Sequence, residues 1–290
     1  MSDAPWTFGR LLEWTTGYLQ EKGAEFPRLD AEVLLAHAAN CARIQLYTRF
    51  NDEAPEAIRN SYKQLVRQRV DGCPVAYLVG RKEFFSLEFA VDGHVLIPRP
   101  DTEVLVMEVL RLAKPQAAPR LVDVGTGSGA IAVACLKNHP GMTAIAVDRS
   151  KEALALARRN AERHQVDQRM QFVPSDLMAE VPAGQRFDFI VSNPPYIPTG
   201  EIRHLPVGVR DFEPHLALDG GPTGYEVTIR LIDQARWRLA PGGWLLLETG
   251  AQQAEKVVEA LRRHPEYGGP AVIQDYAGHP RVVRVGLAAS

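Results

Sequence analysis

The first 80 residues of the chain carry apolar side chains at three- and four-residue spacing in three separate stretches. This periodicity predicts amphipathic helices near residues 11–19, 30–39 and 55–70, with charged side chains on the opposite faces. Short polar breaks separate the three stretches. We therefore expect a small helical bundle over residues 1–80 as an N-terminal domain, and it contains no cluster of catalytic side chains.

The periodicity changes to a strand-like alternation after residue 80. Apolar side chains take alternate positions over residues 85–91, which is typical of a strand with one buried face. Asp92-Gly93 is a turn signal, and a second apolar run follows at residues 95–97. The pattern predicts a β-hairpin over residues 81–97 that links the helical domain to the rest of the chain.

From residue 98 to residue 290, short apolar runs alternate with stretches of helical length. The predicted strands cover residues 121–125, 143–148, 170–176, 187–193, 243–249, 272–275 and 282–287. The predicted helices cover residues 102–113, 130–138, 151–164, 225–239 and 252–263. Strands that alternate with helices of this length indicate a parallel, doubly wound sheet, so we expect an α/β domain over residues 98–290.

The composition is that of an ordinary globular protein of about two domains. Hydrophobic residues make up 46% of the 290 residues and charged residues 23%, which excludes a wholly disordered chain, a collagen-like fibre and a small disulfide-bonded scaffold. The 33 basic and 35 acidic side chains leave a formal charge of −2. A protein that depends on non-specific contacts to nucleic acid usually carries a basic excess. We therefore expect no direct nucleic-acid partner, although the net charge does not exclude a local basic patch.

The sequence lacks signals for targeting, membrane insertion and metal binding. Three widely spaced cysteines, Cys41, Cys73 and Cys135, form no Cys-x-x-Cys pair, so we expect buried or incidental thiols and no metal site. The first ten residues lack the apolar segment of a signal peptide. The longest apolar runs are far shorter than the roughly 18 residues of a membrane span. We expect a cytoplasmic, monomeric protein without membrane partners.

A glycine-rich loop joins the first strand of the sheet to the helix that follows it. The loop consists of Gly125, Thr126, Gly127, Ser128 and Gly129. Glycines allow a tight turn and a close approach of the backbone to a ligand, and the free N–H groups of a helix N-terminus favour an anion. With Ala130, the loop also matches the G-x-G-x-x-A pattern of dinucleotide-binding proteins, so a nicotinamide cofactor stays open at this point.

Two acidic residues follow the next two strands. Asp148 ends the second strand, and Asp176 follows the third. The carboxyl ends of these strands lie side by side in a doubly wound sheet. A carboxylate at the first position can accept hydrogen bonds from two ribose hydroxyls, and one at the second can meet an adenine amino group. Together with the glycine loop, these acids indicate a cofactor that contains adenosine.

The segment Asn193-Pro194-Pro195-Tyr196 follows the fourth strand. A residue before proline is held in extended geometry, so the segment is stiff. Asn193 offers a side-chain oxygen and Pro194 a carbonyl oxygen, and two such acceptors fit a planar NH2 group. Holding both hydrogens aims the weakly nucleophilic nitrogen of an amide or an adenine at an electrophilic methyl group without a strong base. Tyr196 offers a flat face to the same group.

These segments resemble the N5-glutamine methyltransferases of peptide-chain release factors, the PrmC/HemK family. The resemblance extends over almost the whole chain, and its motifs are IPRPDTE (97–103), DVGTGSGAIA (123–132), SNPPYI (192–197), DFEPHLALDGG (211–221) and LLLETG (245–250). Asn-Pro-Pro-Tyr alone is shared with adenine N6-methyltransferases. Its combination with the first and fourth of these motifs is far more specific.

The resemblance implies a Rossmann-like class I methyltransferase sheet with S-adenosylmethionine as the methyl donor. It implies as substrate the glutamine of the Gly-Gly-Gln motif in a release factor, which the N-terminal domain would contact. The glycine loop would hold the methionine part of the cofactor, Asp148 would hold the ribose, and Asn193 would also touch the cofactor. The other implied site residues are Asp176 and Leu177 around the adenine, Arg99 and Thr102 along the cofactor cleft, and Asn193, Pro194, Pro195 and Tyr196 around the glutamine amide.

Three other functions remain open from the residues. An adenine N6-methyltransferase of DNA or RNA would use the same Asn-Pro-Pro-Tyr chemistry, but it would also have to bind phosphates and flip its base, which the near-neutral charge disfavours. A nicotinamide oxidoreductase would leave residues 193–196 without a role, and a non-catalytic adaptor would not need Asn193. We expect direct methyl transfer without a covalent enzyme intermediate, because no nucleophile paired with a base lies near the predicted cleft.

Overall fold

The structure, a computed structural model, describes residues 5–288 and divides the chain into two compact units. The first unit contains the residues up to Gly80 together with the segment Pro206–Phe212. The second unit contains Arg81–Leu205 and the residues from Glu213 onward. Between residues 5 and 288, no helix is long and apolar enough to cross a membrane.

The first unit is a helical bundle. Its helices up to residue 80 are α1 (Phe8–Glu21), α2 (Pro27–Ala38), α3 (Arg43–Thr48), α4 (Glu56–Val70) and α5 (Val75–Val79). Their buried faces meet in a core that includes Phe8, Leu12, Leu34, Leu46 and Tyr62. The sequence predicts α1, α2 and α4, but it misses α3 and α5, because helices of 6 and 5 residues are too short to repeat an apolar period.

The second unit begins with a β-hairpin. Its strands are β1 (Arg81–Phe84) and β2 (Leu87–Ala90), and they pair antiparallel. Phe85 and Ser86 form the turn with φ values of 52° and 57°, and a type I′ turn has positive φ at both central residues. Neither residue is a glycine, asparagine or aspartate, which type I′ turns favour, so the sequence contains no signal for this turn.

The turn predicted at Asp92-Gly93 exists but does not join two strands. Asp92 Oδ1 accepts a hydrogen bond from the His94 N–H at 3.0 Å, which forms a local turn after the hairpin. The residues that follow, including the buried Val95, form no strand. The hairpin predicted over residues 81–97 is therefore wrong in two respects: residues 85 and 86, expected in a strand, form the turn, and no strand follows residue 90, because an apolar run can be buried in irregular structure as well as in a strand.

A seven-stranded sheet forms the centre of the second unit as far as the chain is described. After the hairpin, the elements in chain order are α6 (Glu103–Ala113), β3 (Arg120–Val124), α7 (Ala130–Asn138), β4 (Thr143–Asp148), α8 (Lys151–Arg163), β5 (Met170–Pro174), β6 (Phe187–Ser192), α9 (Val207–Arg210), α10 (Glu226–Ala235), β7 (Leu239–Glu248), α11 (Ala254–Arg262), β8 (Ala271–Gln274) and β9 (Pro280–Gly286). Every strand and helix predicted for this part of the chain has a counterpart here; α7 and β4 have the predicted ends, and the other predicted elements have shifted ends.

The strand order of this sheet is β5-β4-β3-β6-β7-β9-β8. The strands β3 to β7 are parallel, whereas β9 runs antiparallel between β7 and β8. Apolar residues of α6, α7 and α8 pack in one core cluster, and those of α10 and α11 in another. The expected α/β fold is confirmed. Its antiparallel edge arises because β8 and β9 are joined without the helix that a parallel crossover needs.

The helix α9 lies in the segment Pro206–Phe212, which belongs to the first unit and not to the α/β domain predicted to contain it. A Cβ atom added at Gly72 would lie 2.5 Å from Val207 Cγ1, so the bundle backbone packs directly against this segment. A contact between residues so far apart in the chain leaves no local pattern in the sequence.

Candidate active site

A cavity of about 320 Å³ opens at the carboxyl ends of β3, β4, β5 and β6. The chain order of the sheet reverses between β3 and β6, and open α/β sheets bind ligands at such a point. The predicted site residues that line the cavity are Arg99, Thr102, Gly125, Thr126, Gly127, Ser128, Asp148, Asp176, Leu177, Asn193 and Pro195. Gly129, Pro194 and Tyr196 do not belong to this lining. Within the described range, no group of three or more metal-binding side chains comes together.

The glycine loop between β3 and α7 has backbone φ angles that residues other than glycine rarely adopt. Gly125, Gly127 and Gly129 have φ values of 74°, 53° and 80°. Gly129 directly precedes α7, and a Cβ atom added there would lie 3.1 Å from Ala157 Cβ in α8. The loop therefore turns tightly against α8, and the first turn of α7 lines the cavity.

Asp123 supports this loop from within β3. Its side chain is buried, and Oδ2 accepts hydrogen bonds from Thr126 Oγ1 at 2.7 Å and from the Ala132 N–H at 3.2 Å. Burial raises the pKa of this carboxyl to about 7, although the two hydrogen bonds act in the opposite direction. Sequence reasoning missed Asp123. The signal that reveals it is a single acidic residue inside the apolar run of β3.

Asp148, at the end of β4, also holds the loop. Its Oδ2 accepts a hydrogen bond from the Gly127 N–H at 2.9 Å, and its Oδ1 accepts one from the Ser150 N–H at 3.0 Å. Burial raises the pKa of Asp148, and these backbone hydrogen bonds partly oppose that rise. Each carboxylate oxygen can accept a further hydrogen bond, so Asp148 keeps the capacity to bind the two ribose hydroxyls expected there.

Asp176 and Leu177 follow β5 and line the cavity. The cationic side chain of Arg230, which sequence reasoning missed, lines it beside them. Arg230 of α10 forms an ion pair with Asp176, with Nη2 2.7 Å from Oδ2. Both side chains are about half exposed, so the pair adds little stability, but it partly neutralises the carboxylate. Leu177 has a φ of 52°, and its side chain is mostly buried. The adenine contacts of these two residues stay predictions.

The corner formed by residues 193–196 leaves β6 at the cavity. Ser192 Oγ, just before the corner, donates a hydrogen bond to the Val124 carbonyl at 2.6 Å. Asn193 Nδ2 donates to Thr102 Oγ1 at 3.4 Å. Among residues 5–288, none donates a hydrogen bond to Asn193 Oδ1 or to the Pro194 carbonyl. These two oxygens therefore have no hydrogen-bond donor within the described part of the protein.

Two further contacts hold the corner in place. Gln253 Nε2 donates a hydrogen bond to the Tyr196 carbonyl at 2.8 Å. A Cβ atom added at Gly220 would lie 2.7 Å from the Pro195 carbonyl oxygen, so the segment 213–221 packs closely against the corner at Gly220. The residues of this segment that also line the cavity are Pro214, Leu216, Ala217 and Asp219.

Arg99 lines the cavity and forms an ion pair with Glu213 of the same segment. The Glu213 side chain is only 1% exposed, and burial raises its pKa even though Arg99 opposes this. A charge-assisted contact to a buried carboxylate holds the guanidinium in place at the cavity wall. Sequence reasoning missed this pair because 114 residues separate its members.

A second buried carboxylate, Glu248, ends β7 beside the corner. It is 2% exposed, and its Oε2 has no hydrogen-bond partner in the described part of the chain. Burial raises its pKa to about 7, whereas the nearby polar side chains of Thr102 and Asn193 and the charge of Arg281 act to lower it. Sequence reasoning assigned no role to Glu248, although an acidic residue that ends an apolar strand is a usable signal.

Known proteins that are similar to this chain identify its family. The chain is 45% identical over 286 residues to the release factor glutamine methyltransferase of Rhodopirellula baltica, an alignment that covers 97% of each chain. The chain belongs to the release factor glutamine methyltransferase family. The family member from Geobacter sulfurreducens is 44% identical over 265 residues, which is 91% of this chain and 92% of that protein.

Two domain families match separate parts of this member of the release factor glutamine methyltransferase family. The PrmC N-terminal domain matches residues 10–80, and the methyltransferase small domain matches residues 101–205. A methyltransferase from Pyrococcus furiosus has a similar fold, with a TM-score of 0.53 and 19% identity, over 79% of this chain and 100% of that chain. Family membership confirms the resemblance, the methyltransferase class and S-adenosylmethionine as the methyl donor.

Proposed function

We propose that this protein transfers a methyl group from S-adenosylmethionine to the side-chain amide nitrogen, N5, of the glutamine in the Gly-Gly-Gln motif of peptide-chain release factors. The observation that carries the proposal is the pair of oxygens at the corner, Asn193 Oδ1 and the Pro194 carbonyl, which no described residue uses. Two acceptors in one stiff segment fit the two hydrogens of a carboxamide. The names of relatives at 40–45% identity support a release factor as substrate.

The cavity fits S-adenosylmethionine in its volume and in its lining. Residues 125–129 would hold the methionine part, since the free N–H groups at the start of α7 suit a carboxylate. Asp148 would accept the ribose hydroxyls. When bound, the cofactor supplies an electrophilic methyl carbon, which the amide nitrogen attacks as the carbon–sulfur bond breaks. The other residues that would contact the cofactor are Asp176, Leu177, Arg99, Thr102 and Asn193.

Asn193 and Pro194 act on the substrate by orientation. A carboxamide nitrogen is a poor nucleophile because its lone pair is delocalised. Hydrogen bonds from its two N–H groups to the two corner oxygens aim the nitrogen and favour its pyramidal form, and such orientation contributes up to roughly 7–11 kcal/mol in the best cases. The methylated nitrogen loses its proton readily to water, so the site needs no general base. Pro195 and Tyr196 complete the substrate side.

The match to the PrmC N-terminal domain supports a division of roles along the chain. The helical domain predicted over residues 1–80 contacts the release factor, and residues 81–97 connect it to the rest of the chain. Residues 98–290, without the segment Pro206–Phe212 that belongs to the first unit, carry the methyltransferase site. With a release factor as the proposed substrate, we propose that the reaction takes place in the cytoplasm. We also propose that the protein acts as a monomer.

Methyl transfer from labelled S-adenosylmethionine to a purified release factor tests the proposal. We expect one methyl group on the glutamine of the Gly-Gly-Gln motif, located by mass spectrometry of the digested factor. A release factor with glutamate in place of that glutamine is the control and should accept no methyl group. Duplex DNA is offered in a parallel reaction. Methylated adenine together with an unmodified release factor would contradict the proposal and favour the adenine N6-methyltransferase.

A further inference from the structure

We propose that Glu248 is a positioning residue, which acts with Thr102 to fix the Asn193 carboxamide so that Oδ1 faces the substrate. This inference deepens the proposed function and rests on it. The three residues come from different elements, since Thr102 precedes α6, Asn193 follows β6 and Glu248 ends β7.

The parallel pairing of β6 with β7 brings Asn193 and Glu248 together. Ser192 pairs with Leu247, so the next residues along both strands lie side by side. Asn193 Nδ2 donates a hydrogen bond to Thr102 Oγ1 at 3.4 Å. The side chains of Thr102 and Asn193 lie close enough to the Glu248 carboxyl for both to lower its pKa, although neither forms a direct hydrogen bond with it in the described part of the chain. The three side chains are thus neighbours at the start of the corner, and we refer to them as the Thr102–Asn193–Glu248 network.

This network distinguishes the two ends of the Asn193 carboxamide. A carboxylate only accepts hydrogen bonds, so Glu248 attracts the NH2 end of Asn193 and repels Oδ1. Thr102 has a single hydroxyl hydrogen, and when it donates this to Glu248, its oxygen is left to accept from Asn193 Nδ2. Oδ1 is then left for the NH2 group of the substrate. If the carboxamide were reversed, the NH2 group of Asn193 would face the NH2 group of the substrate glutamine. Neither group could accept a hydrogen bond, so the glutamine amide would not be held.

Glu248 is buried without a cation in direct contact, which is costly for a carboxylate. Arg281 of β9 faces the same region, but its ion pairs are with Asp101 at 2.9 Å and Asp275 at 3.4 Å. Among the residues that the structure describes, none forms an ion pair with Glu248. Groups in such environments concentrate at functional sites, and the network with Asn193 gives this one its role.

The charge of Glu248 changes in the neutral pH range, because burial raises its pKa to about 7. The groups that face it are Arg281 from β9, Asp101 from the turn before α6 and the Tyr196 hydroxyl from the corner. Above this pH, the carboxylate holds the NH2 end of Asn193. Below it, the protonated carboxyl can also donate to Oδ1, and the preference between the two ends is lost. Methyl transfer should therefore slow as the pH falls through about 7.

Glu248→Gln tests the inference, because glutamine keeps the shape of the side chain but can donate to Asn193 Oδ1. We expect kcat with a release factor to fall by roughly tenfold or more, the effect of losing a hydrogen bond to a charged group. The Kd of S-adenosylmethionine by calorimetry should stay near wild type, and the acid limb of the kcat–pH profile should disappear. Glu259→Gln, which makes the same change at an exposed carboxyl on α11, is the matched control and should keep the limb.

Thr102→Val and Thr102→Ser form a second pair that does not depend on the folding of the Glu248 variant. Serine keeps the hydroxyl, so its kcat should exceed that of the valine variant by roughly tenfold. A wild-type kcat with an unchanged acid limb in Glu248→Gln, or equal kcat in both Thr102 variants, would overturn the inference. If the wild-type protein does not methylate the release factor at all, the proposed function fails instead, and the two failures are distinguishable.

Discussion

At the scale of single residues, Asp123 and Glu248 make the site and the stability of the fold depend on pH. Burial raises the pKa of each carboxyl to about 7. Within residues 5–288, Asp123 Oδ1 and Glu248 Oε2 have no hydrogen-bond partner. A carboxyl whose pKa is higher in the folded than in the unfolded state binds its proton more tightly when folded. Its contribution to stability is therefore complete below the unfolded pKa and is lost as the pH rises through the folded pKa.

Asp123→Asn should remove part of this pH dependence. The wild-type free energy of unfolding should fall by about 1–3 kcal/mol for this group between about pH 4 and pH 7, since one pKa unit corresponds to about 1.4 kcal/mol. The variant should show a shallower decline in urea unfolding at a series of pH values. Glu259→Gln, exposed on α11, is the control and should keep the wild-type decline. Equal declines in Asp123→Asn and wild type would contradict the raised pKa.

Asn193→Ala should reduce methyl transfer far more than it reduces cofactor binding. The change removes one of the two acceptors for the substrate NH2 group, so we expect kcat to fall by roughly 100-fold or more. The Kd of S-adenosylmethionine should change by only a few fold, because the other lining residues remain. Single-turnover kinetics and calorimetry measure the two effects. Asn138→Ala, on the α7 surface, controls for the loss of a carboxamide. A wild-type rate in Asn193→Ala would exclude the paired-oxygen interaction.

The motif residues of the site could be predicted from the sequence because each motif is local. The glycine loop, Asp148 and Asn193 all follow strands that the alternation of apolar runs reveals. The roles of Glu213 and Glu248 could not be predicted in the same way. Glu213 meets Arg99 across 114 residues, and Glu248 meets Asn193 only when β6 and β7 pair in register. Their partners are set by tertiary structure, which a single sequence does not contain.

At the scale of elements, long periodic segments could be predicted, and short or irregular ones could not. The strands and long helices of the second unit have clear apolar periods. The helices α3 and α5 are too short to show one, and the hairpin turn at Phe85 and Ser86 contains neither glycine nor asparagine. The direction of β9 depends on its pairing with β7 and β8, which its own apolar pattern does not specify.

The helix α7 buries Cys135, which bears on the mechanism. The thiol is 0% exposed, and burial raises its pKa, so the nucleophilic thiolate is disfavoured. Cys135→Ala should therefore leave kcat near wild type, as direct methyl transfer requires, and should lower the free energy of unfolding by about 1 kcal/mol through a small cavity. Steady-state kinetics and urea unfolding measure both.

The control for this change is Cys41→Ala, a half-buried thiol in the first unit, which should leave kcat unchanged. A large loss of kcat in Cys135→Ala, with folding and S-adenosylmethionine binding preserved, would indicate a covalent enzyme intermediate. Because Cys135 lies on the helix that follows the glycine loop, binding of the cofactor has to be measured separately from turnover.

At the scale of the whole molecule, two kinds of periodicity indicate two kinds of structure. Helical spacing before residue 80 and strand–helix alternation after residue 98 correspond to the helical bundle and the α/β sheet. The segment Pro206–Phe212 shows the limit of this reasoning, because it joins the first unit through contacts near Gly72. The order of elements along the chain predicts which residues form a compact unit only when that unit is built from one continuous segment.

The charge balance of the whole molecule distinguishes a protein substrate from a nucleic-acid substrate. With 33 basic and 35 acidic side chains, the chain has little net attraction for a phosphate backbone. In fluorescence anisotropy at physiological salt, we expect no binding to duplex DNA tighter than about 10⁻⁴ M. Release factor methylation should also proceed when excess duplex DNA is added. Micromolar DNA binding that inhibits this reaction would favour an adenine methyltransferase, because an enzyme that flips a base has to hold the phosphates around its target.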